Sequence, residues 1–235
     1  MAQHILPSEP DIAVSLRRSA RAKRISLRVS RLDGCVTLTV PKRISDAEAL
    51  DFAQSKVSWL RRQLADRPQP VLVGFGSEIP FQGSLLTIAP SAGHGMGRGV
   101  QLRDETLFVP GSPESAGVKA LGFFKQQARQ RLVAAVDRYG AALGQPYSRF
   151  TLRDTRSRWG SCSSEGALMF SWRLILAPSE VLDYVAAHEV AHLAQMNHSP
   201  AFWAVVEQLF GPHQAERNWL RRHGEKLHQY RFRAG

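Results

Sequence analysis

The sequence predicts an α+β chain with a β-rich front and a helical back, and three observations carry that prediction. Residues 24–30 and 35–40 alternate apolar and polar side chains, the period of a half-buried strand. Residues 71–110 hold further short strand-like runs bounded by Gly and Pro. Beyond Pro113 the apolar residues recur at helical spacing instead. The expected organisation is a β-rich region over 12–110 with one helix at 46–65, then a second region over 112–232.

Each element has a local cause. Leu32-Asp33-Gly34 between the first two strands is a hairpin signal. Ser45-Asp46-Ala47-Glu48 is a capping box, and Ala49, Ala53, Val57, Leu60 and Leu64 give the helix after it one apolar stripe. Pro68 and Pro70 close that unit. Residues 93–99 alternate Gly with other residues, but a phosphate cradle should open a helix, and here a strand-like run at 102–109 follows. A hairpin loop is the expectation. Gly111-Ser112-Pro113 starts a long helix on Val118, Leu121, Phe124, Ala128, Leu132, Val136, Tyr139 and Leu143, closed by Gly144. Strands are expected at 150–154 and 167–172, on either side of residues 158–163, with Glu165-Gly166 at the turn.

Residues 188–198 read His-Glu-Val-Ala-His-Leu-Ala-Gln-Met-Asn-His. His188 and His192 stand four apart, so on a helix both imidazoles leave one face and can share a tetrahedral zinc ion. Glu189 follows the first histidine, within reach of a zinc-bound water as general base. Pro178-Ser179-Glu180 starts the helix, and Val181, Val185, His188 and His192 continue one inward stripe. A catalytic zinc needs a third protein ligand and an open position. His198 is the candidate, provided that the chain turns after about residue 195. Asn197, in the left-handed conformation, would make that turn, and Ser199-Pro200 would cap a new helix over 201–210. The spacing from His188 to His198 equals that of the metzincin motif, except that Gln195 stands where that motif has Gly.

Three stretches together resemble a known family. They are Ser157-Arg158-Trp159-Gly160-Ser161-Cys162-Ser163, then Ser171-Trp172-Arg173-Leu174, then the 188–198 motif running into Ser199-Pro200-Ala201-Phe202-Trp203. The resemblance is to the YgjP-like metallopeptidases, predicted cytoplasmic metal-dependent hydrolases similar in their core to the WLM and SprT-like zincins. The basic N-terminal hairpin, Lys56-Val57-Ser58-Trp59-Leu60 and Trp219-Leu220-Arg221-Arg222-His223-Gly224 extend it over most of the chain. It implies a zincin-like catalytic domain, one Zn2+ per chain on His188, His192 and His198, and a catalytic Glu189.

Flanking residues allow competing roles. Trp159 and Gly160 fit a tight packed turn beside the metal helix, while Arg158, Trp159 and Tyr184 are candidates for substrate contact. Cys162 as a fourth ligand would close the site and make the zinc structural.

The 235 residues suffice to bury a sizeable core. Cys35 and Cys162 give no disulfide framework, residues 1–11 lack a signal-peptide run, and no stretch approaches a membrane span. A cytoplasmic protein without membrane contact is expected. Lys and Arg outnumber acids by 31 to 20, a formal charge of +11. The excess gathers at Arg17, Arg18, Arg21, Lys23, Arg24, Arg28 and Arg31, candidates for nucleic-acid contact, although the alternation there also suits the solvated face of a strand. The expected reaction is zinc-assisted hydrolysis of a protein or peptide. The alternatives are a nucleotide or phosphoanhydride hydrolase, or a nucleic-acid-associated module with structural zinc.

Overall fold

The computed structural model describes residues 3–6, 9–30, 34–65, 69–91 and 99–233, and the chain divides into two units, Met1–Gln69 and Pro70–Gly235. In the first, β1 (Gln3–Leu6), β2 (Glu9–Ser19), β3 (Ser26–Val29) and β4 (Val36–Pro41) form one sheet in the order β1-β2-β4-β3. Val36, Leu38 and Val40 turn to the core while Thr37 and Thr39 stay half-buried, so the period-2 pattern decides which face is covered. β3 and β4 pair antiparallel as expected of a hairpin; its turn at 31–33, with Arg31, lies outside the described residues. β2 was not among the expected strands. It pairs parallel with β4, and Ile12, Val14 and Leu16 enter the same core.

The helix expected over 46–65 is two helices, α1 (Asp46–Gln54) and α2 (Val57–Ala65). Ser45 caps the first by accepting from the Glu48 amide, as the capping box requires. It stops because the Ser55 hydroxyl donates to the Phe52 carbonyl at 2.7 Å and competes with the helical ladder. Arg17, Arg18, Arg21, Lys23, Arg24 and Arg28 are all exposed. Arg18 has an internal role: it pairs with Asp46 and donates to the Ile44 carbonyl at 2.8 Å.

The second unit begins with β5 (Val71–Leu72), β6 (Glu78–Phe81), β7 (Ser84–Pro90), β8 (Gln101–Arg103) and β9 (Thr106–Val109). The last four form a sheet in the order β6-β7-β9-β8; the loop expected at 93–99 lies largely outside the described residues. Ile79, Phe81, Leu86, Ile88, Leu107 and Val109 share one core with Ala116, Ala120 and Phe124 of α3 (Pro113–Leu143). That shared burial is why the division falls at residue 69 rather than at the expected 110–112. Ser112, Pro113 and a left-handed Gly144 bound α3 as the sequence predicts.

Three short strands then form a separate sheet, β10 (Arg149–Arg153), β11 (Gly160–Cys162) and β12 (Ala167–Ser171), in the order β10-β12-β11. β11 occupies the place where a packed turn was one expectation; Gly166 turns the chain from it into β12. A buried 3-10 turn, Trp172–Leu176, leads to α4 (Ser179–Ala191), which carries the histidine motif, and α5 (Pro200–Leu209) and α6 (Gln214–His223) follow. At the end of the chain β13 (Tyr230–Arg231) pairs parallel with β5. Arg173 fastens this closure. Its guanidinium holds Asp154 at 2.6 Å and donates to the carbonyls of Leu227 and Tyr230 at 2.9 and 3.2 Å. No helix among the described residues is long and apolar enough to cross a membrane.

Candidate metal centre

The α4 helix ends at His192, so His188 occupies its last turn and His192 its cap. Tight turns follow, with the amides of Leu193, Ala194 and Gln195 donating to the carbonyls of Val190 and Ala191. The expected left-handed Asn197 is not found: among described non-glycine residues only Gln82 and Asp104 have positive φ. Instead the Asn197 side chain accepts from the Ser199 amide at 3.2 Å, and Ser199 caps α5 by accepting from the Phe202 amide. The chain turns before residue 195 through helical-type bonds and is then redirected by side-chain capping, which needs no left-handed residue. The result brings His198 back to the helix.

The three histidines converge. Each offers a ring nitrogen, and those atoms lie within 4.8 Å of one another. His198 Nε2 stands 3.1 Å from His188 Nε2, close to the ~3.3 Å between two nitrogens bound tetrahedrally at their usual zinc distance. Two lone pairs that close repel unless a proton or a cation sits between them. His192 Nδ1 is 3.0 Å from the Gln195 carbonyl, which can only accept, so Nδ1 carries the proton and Nε2 is left as a ligand atom. His188 Nδ1 is buried with no hydrogen-bond partner. Burial, then the neighbouring His192, His198 and Arg217, pushes His188 down to about 3, and burial also lowers His192, so both rings are neutral at ordinary pH. Neutral imidazole is the form that binds metal.

Phe202 lies beneath all three rings. It is fully buried, with its centroid 4.9 Å from that of His188, 4.4 Å from His192 and 4.8 Å from His198. This residue had no assigned role in the sequence. Its place four after His198, in the first turn of a helix capped by Ser199, was the available signal. Tyr184 is edge-on to His188, and His213 is stacked between Tyr184 and Trp203 at 5.6 and 5.3 Å. His213 was likewise not anticipated, since nothing in its local sequence marks it.

Glu189 is 7% exposed, and burial raises its carboxyl to about 8 against a lowering influence from Arg158. Gly160 at the start of β11 lies against it: a Cβ there would fall 2.5 Å from Glu189 Cγ. Among the flanking candidates, Arg158 is exposed and acts on Glu189 through its charge. Trp159 is engaged by the fold, packed on His228 at 5.3 Å and against Gly224. Tyr184 is buried beside His188. Cys162 stands outside the three-histidine group; its thiol bonds the Ser163 carbonyl at 3.3 Å, and burial followed by the Glu189 charge pushes it up to about 11.

These residues fit a divalent cation: the ring nitrogens of three histidines converge within 4.8 Å, two of those rings are neutral, and Glu189 follows the first of them on the helix. A family model, the YgjP-like metallopeptidase domain, matches residues 23–223. The chain belongs to the YgjP-like metallopeptidases. Membership makes it a hydrolase of the metal-dependent peptidase class, with a peptide or protein as substrate. A solved structure, the metallopeptidase zymogen of Pyrococcus abyssi abylysin, is similar over 40% of this chain and 93% of that chain, at 21% identity and a TM-score of 0.35. No curated protein matches the sequence.

Proposed function

We propose that this YgjP-like protein is a zinc metallopeptidase in which His188, His192 and His198 hold the ion and Glu189 is the general base. The observation that carries the reading is the convergence of three histidines, with the buried Glu189 next to the first of them on α4. Imidazole donors suit several transition metals, and an all-histidine set beside a carboxylate base is a common zinc arrangement. Bound there, the ion would supply Lewis acidity to the scissile carbonyl and make water acidic enough to attack at neutral pH.

The chain's own groups do the rest. Glu189 takes the proton of the attacking water and returns it to the leaving amine. Burial suits it to both steps by bringing its proton affinity towards neutrality. The Gln195 carbonyl holds the His192 tautomer, Phe202 fixes the ring planes, and Gly160 leaves the carboxylate its space. The reduced thiol of Cys162 suits a reducing, cytoplasmic setting.

Glu189→Gln tests the reading, because it keeps size and all three histidines while removing the base. Metal content should stay near normal while peptide hydrolysis falls at least about a hundredfold. Retained hydrolysis would overturn the role of Glu189. Turnover of nucleotides in place of peptides would overturn the substrate class.

A further inference from the structure

The β10-β12-β11 sheet has a second face. Phe150 and Leu152 of β10 pack against the core, with Phe150 stacked on Phe170 at 5.6 Å. Alternation therefore turns Arg149, Thr151 and Arg153 to the other side. The register sets Thr151 opposite Met169, and Met169 opposite Ser161, so that side runs across all three strands. There a cavity of about 510 Å³ is lined by Arg149, Arg153 and Arg158, with the hydroxyls of Thr151, Thr155 and Ser161 among them.

We propose that this cavity is a substrate subsite for carboxylate side chains, so that the enzyme selects acidic peptide segments. The proposal rests on the peptidase reading and names the substrate class for it. Among the described residues none of the three arginines has an ion-pair partner, and Glu165 is the only acid in the wall. Three guanidinium groups around one concavity raise its potential and suit an anion, and their planar forks match carboxylates. They surround one concavity with room for more than one carboxylate side chain instead of tracking along a ridge, which favours an acidic peptide segment over a nucleic-acid backbone.

The cavity also adjoins the centre. In β11, Gly160 meets Glu189 while the next residue, Ser161, lines the cavity, and Arg158 both lines it and acts on Glu189. Successive side chains of an extended peptide point to opposite faces. A segment passing this edge can therefore present one side chain to the centre and its neighbour to the arginines.

The test compares a glutamate-rich peptide with its glutamine twin in two arms. In the first, zinc-loaded Glu189→Gln protein is titrated with each labelled peptide by fluorescence anisotropy. The glutamate peptide should bind about tenfold tighter or more, a difference that Arg149→Gln/Arg153→Gln should remove. Both positions are exposed, and an unchanged melting temperature and zinc content would show that the variant is folded. In the second arm, the ratio of kcat/KM for the two peptides should fall by a similar factor in the same arginine variant of the active enzyme. Equal binding of the peptides, or a preference that survives the substitutions, overturns the subsite. So does a labelled thymidine oligonucleotide that binds through the same arginines while the glutamate peptide does not. If neither peptide is cleaved but the binding difference holds and is lost in the variant, the peptidase reading fails and the cavity stands as a carboxylate site.

Discussion

Gly160 and Glu189 are in contact across the boundary between the β11 edge and the α4 helix: a methyl group on Gly160 would lie 2.5 Å from Glu189 Cγ and 2.6 Å from Oε1. The strand thus forms the wall against which the carboxylate rests. With Glu189 buried on its own helix, the glycine leaves the space that its side chain fills.

Gly160→Ala should accordingly act on catalysis before it acts on the fold. The new methyl would push the Glu189 side chain, and displacement of a reacting group by about 1 Å can cost about a hundredfold in rate. We expect kcat to fall at least about tenfold with zinc content unchanged. Steady-state kinetics beside metal analysis checks this, and a variant with wild-type kcat would show that the carboxylate tolerates the shift.

Phe202 supports the ligands from below. Phe202→Leu retains an apolar side chain in the core but removes the ring that touches three imidazoles. Groups that orient metal ligands typically contribute about ten- to a hundredfold in affinity, and we expect zinc affinity to fall by about tenfold. Competition with a chromophoric chelator measures it. Unchanged affinity would mean that the Gln195 carbonyl and the helix suffice to hold the rings.

Much of this centre was legible in the sequence because helix periodicity is local. His188 and His192 share a face by spacing alone, and Ser199-Pro200 announces the next helix through capping chemistry. The Gly160–Glu189 contact was not legible, since it joins positions far apart in sequence that meet only when β11 pairs with β12. The route to His198 was half legible. A turn was required, but Asn197 takes part through its side chain rather than through backbone handedness. The placement of residues 71–110 failed for a different reason: strand patterns show which face is buried, not what covers it, and α3 covers this one.

Removing the metal should expose the cost of gathering three imidazoles without a cation. Ligand binding to the folded state adds about 4 kcal/mol at a thousandfold excess over Kd. Chelation should lower the melting temperature of the wild type, and the chelated protein should melt like His188→Ala/His192→Ala. Full zinc occupancy in that double variant would remove these histidines from the metal site.

Arg173 and His228 predict how the closure of the second unit responds to acid. His228 packs on Trp159, and burial, followed by the Arg173 charge, lowers it from 6.5 to about 4. A histidine buried in its neutral form costs stability wherever the unfolded chain is protonated and the folded one is not. Stability from this group is therefore full above pH 6.5 and declines as pH falls towards about 4. Asp154 continues the loss at lower pH. Burial raises its carboxyl, but the hydrogen bond and charge of Arg173 outweigh that and hold it below its ordinary 3.8. Its contribution is present above that value and disappears as pH falls through the lower folded-state one. His228→Gln should flatten the stability slope between pH 6.5 and about 4, whereas Asp154→Asn should remove the carboxyl's own loss at lower pH and, because the Asp154 charge holds His228 up, extend the His228 slope below about 4. Arg173→Met should lower stability by about 2–4 kcal/mol at neutral pH, because two buried carbonyls lose their donor. Urea denaturation of the zinc-free proteins across this range separates the three effects from metal release. An unchanged slope in His228→Gln would place the acid sensitivity elsewhere.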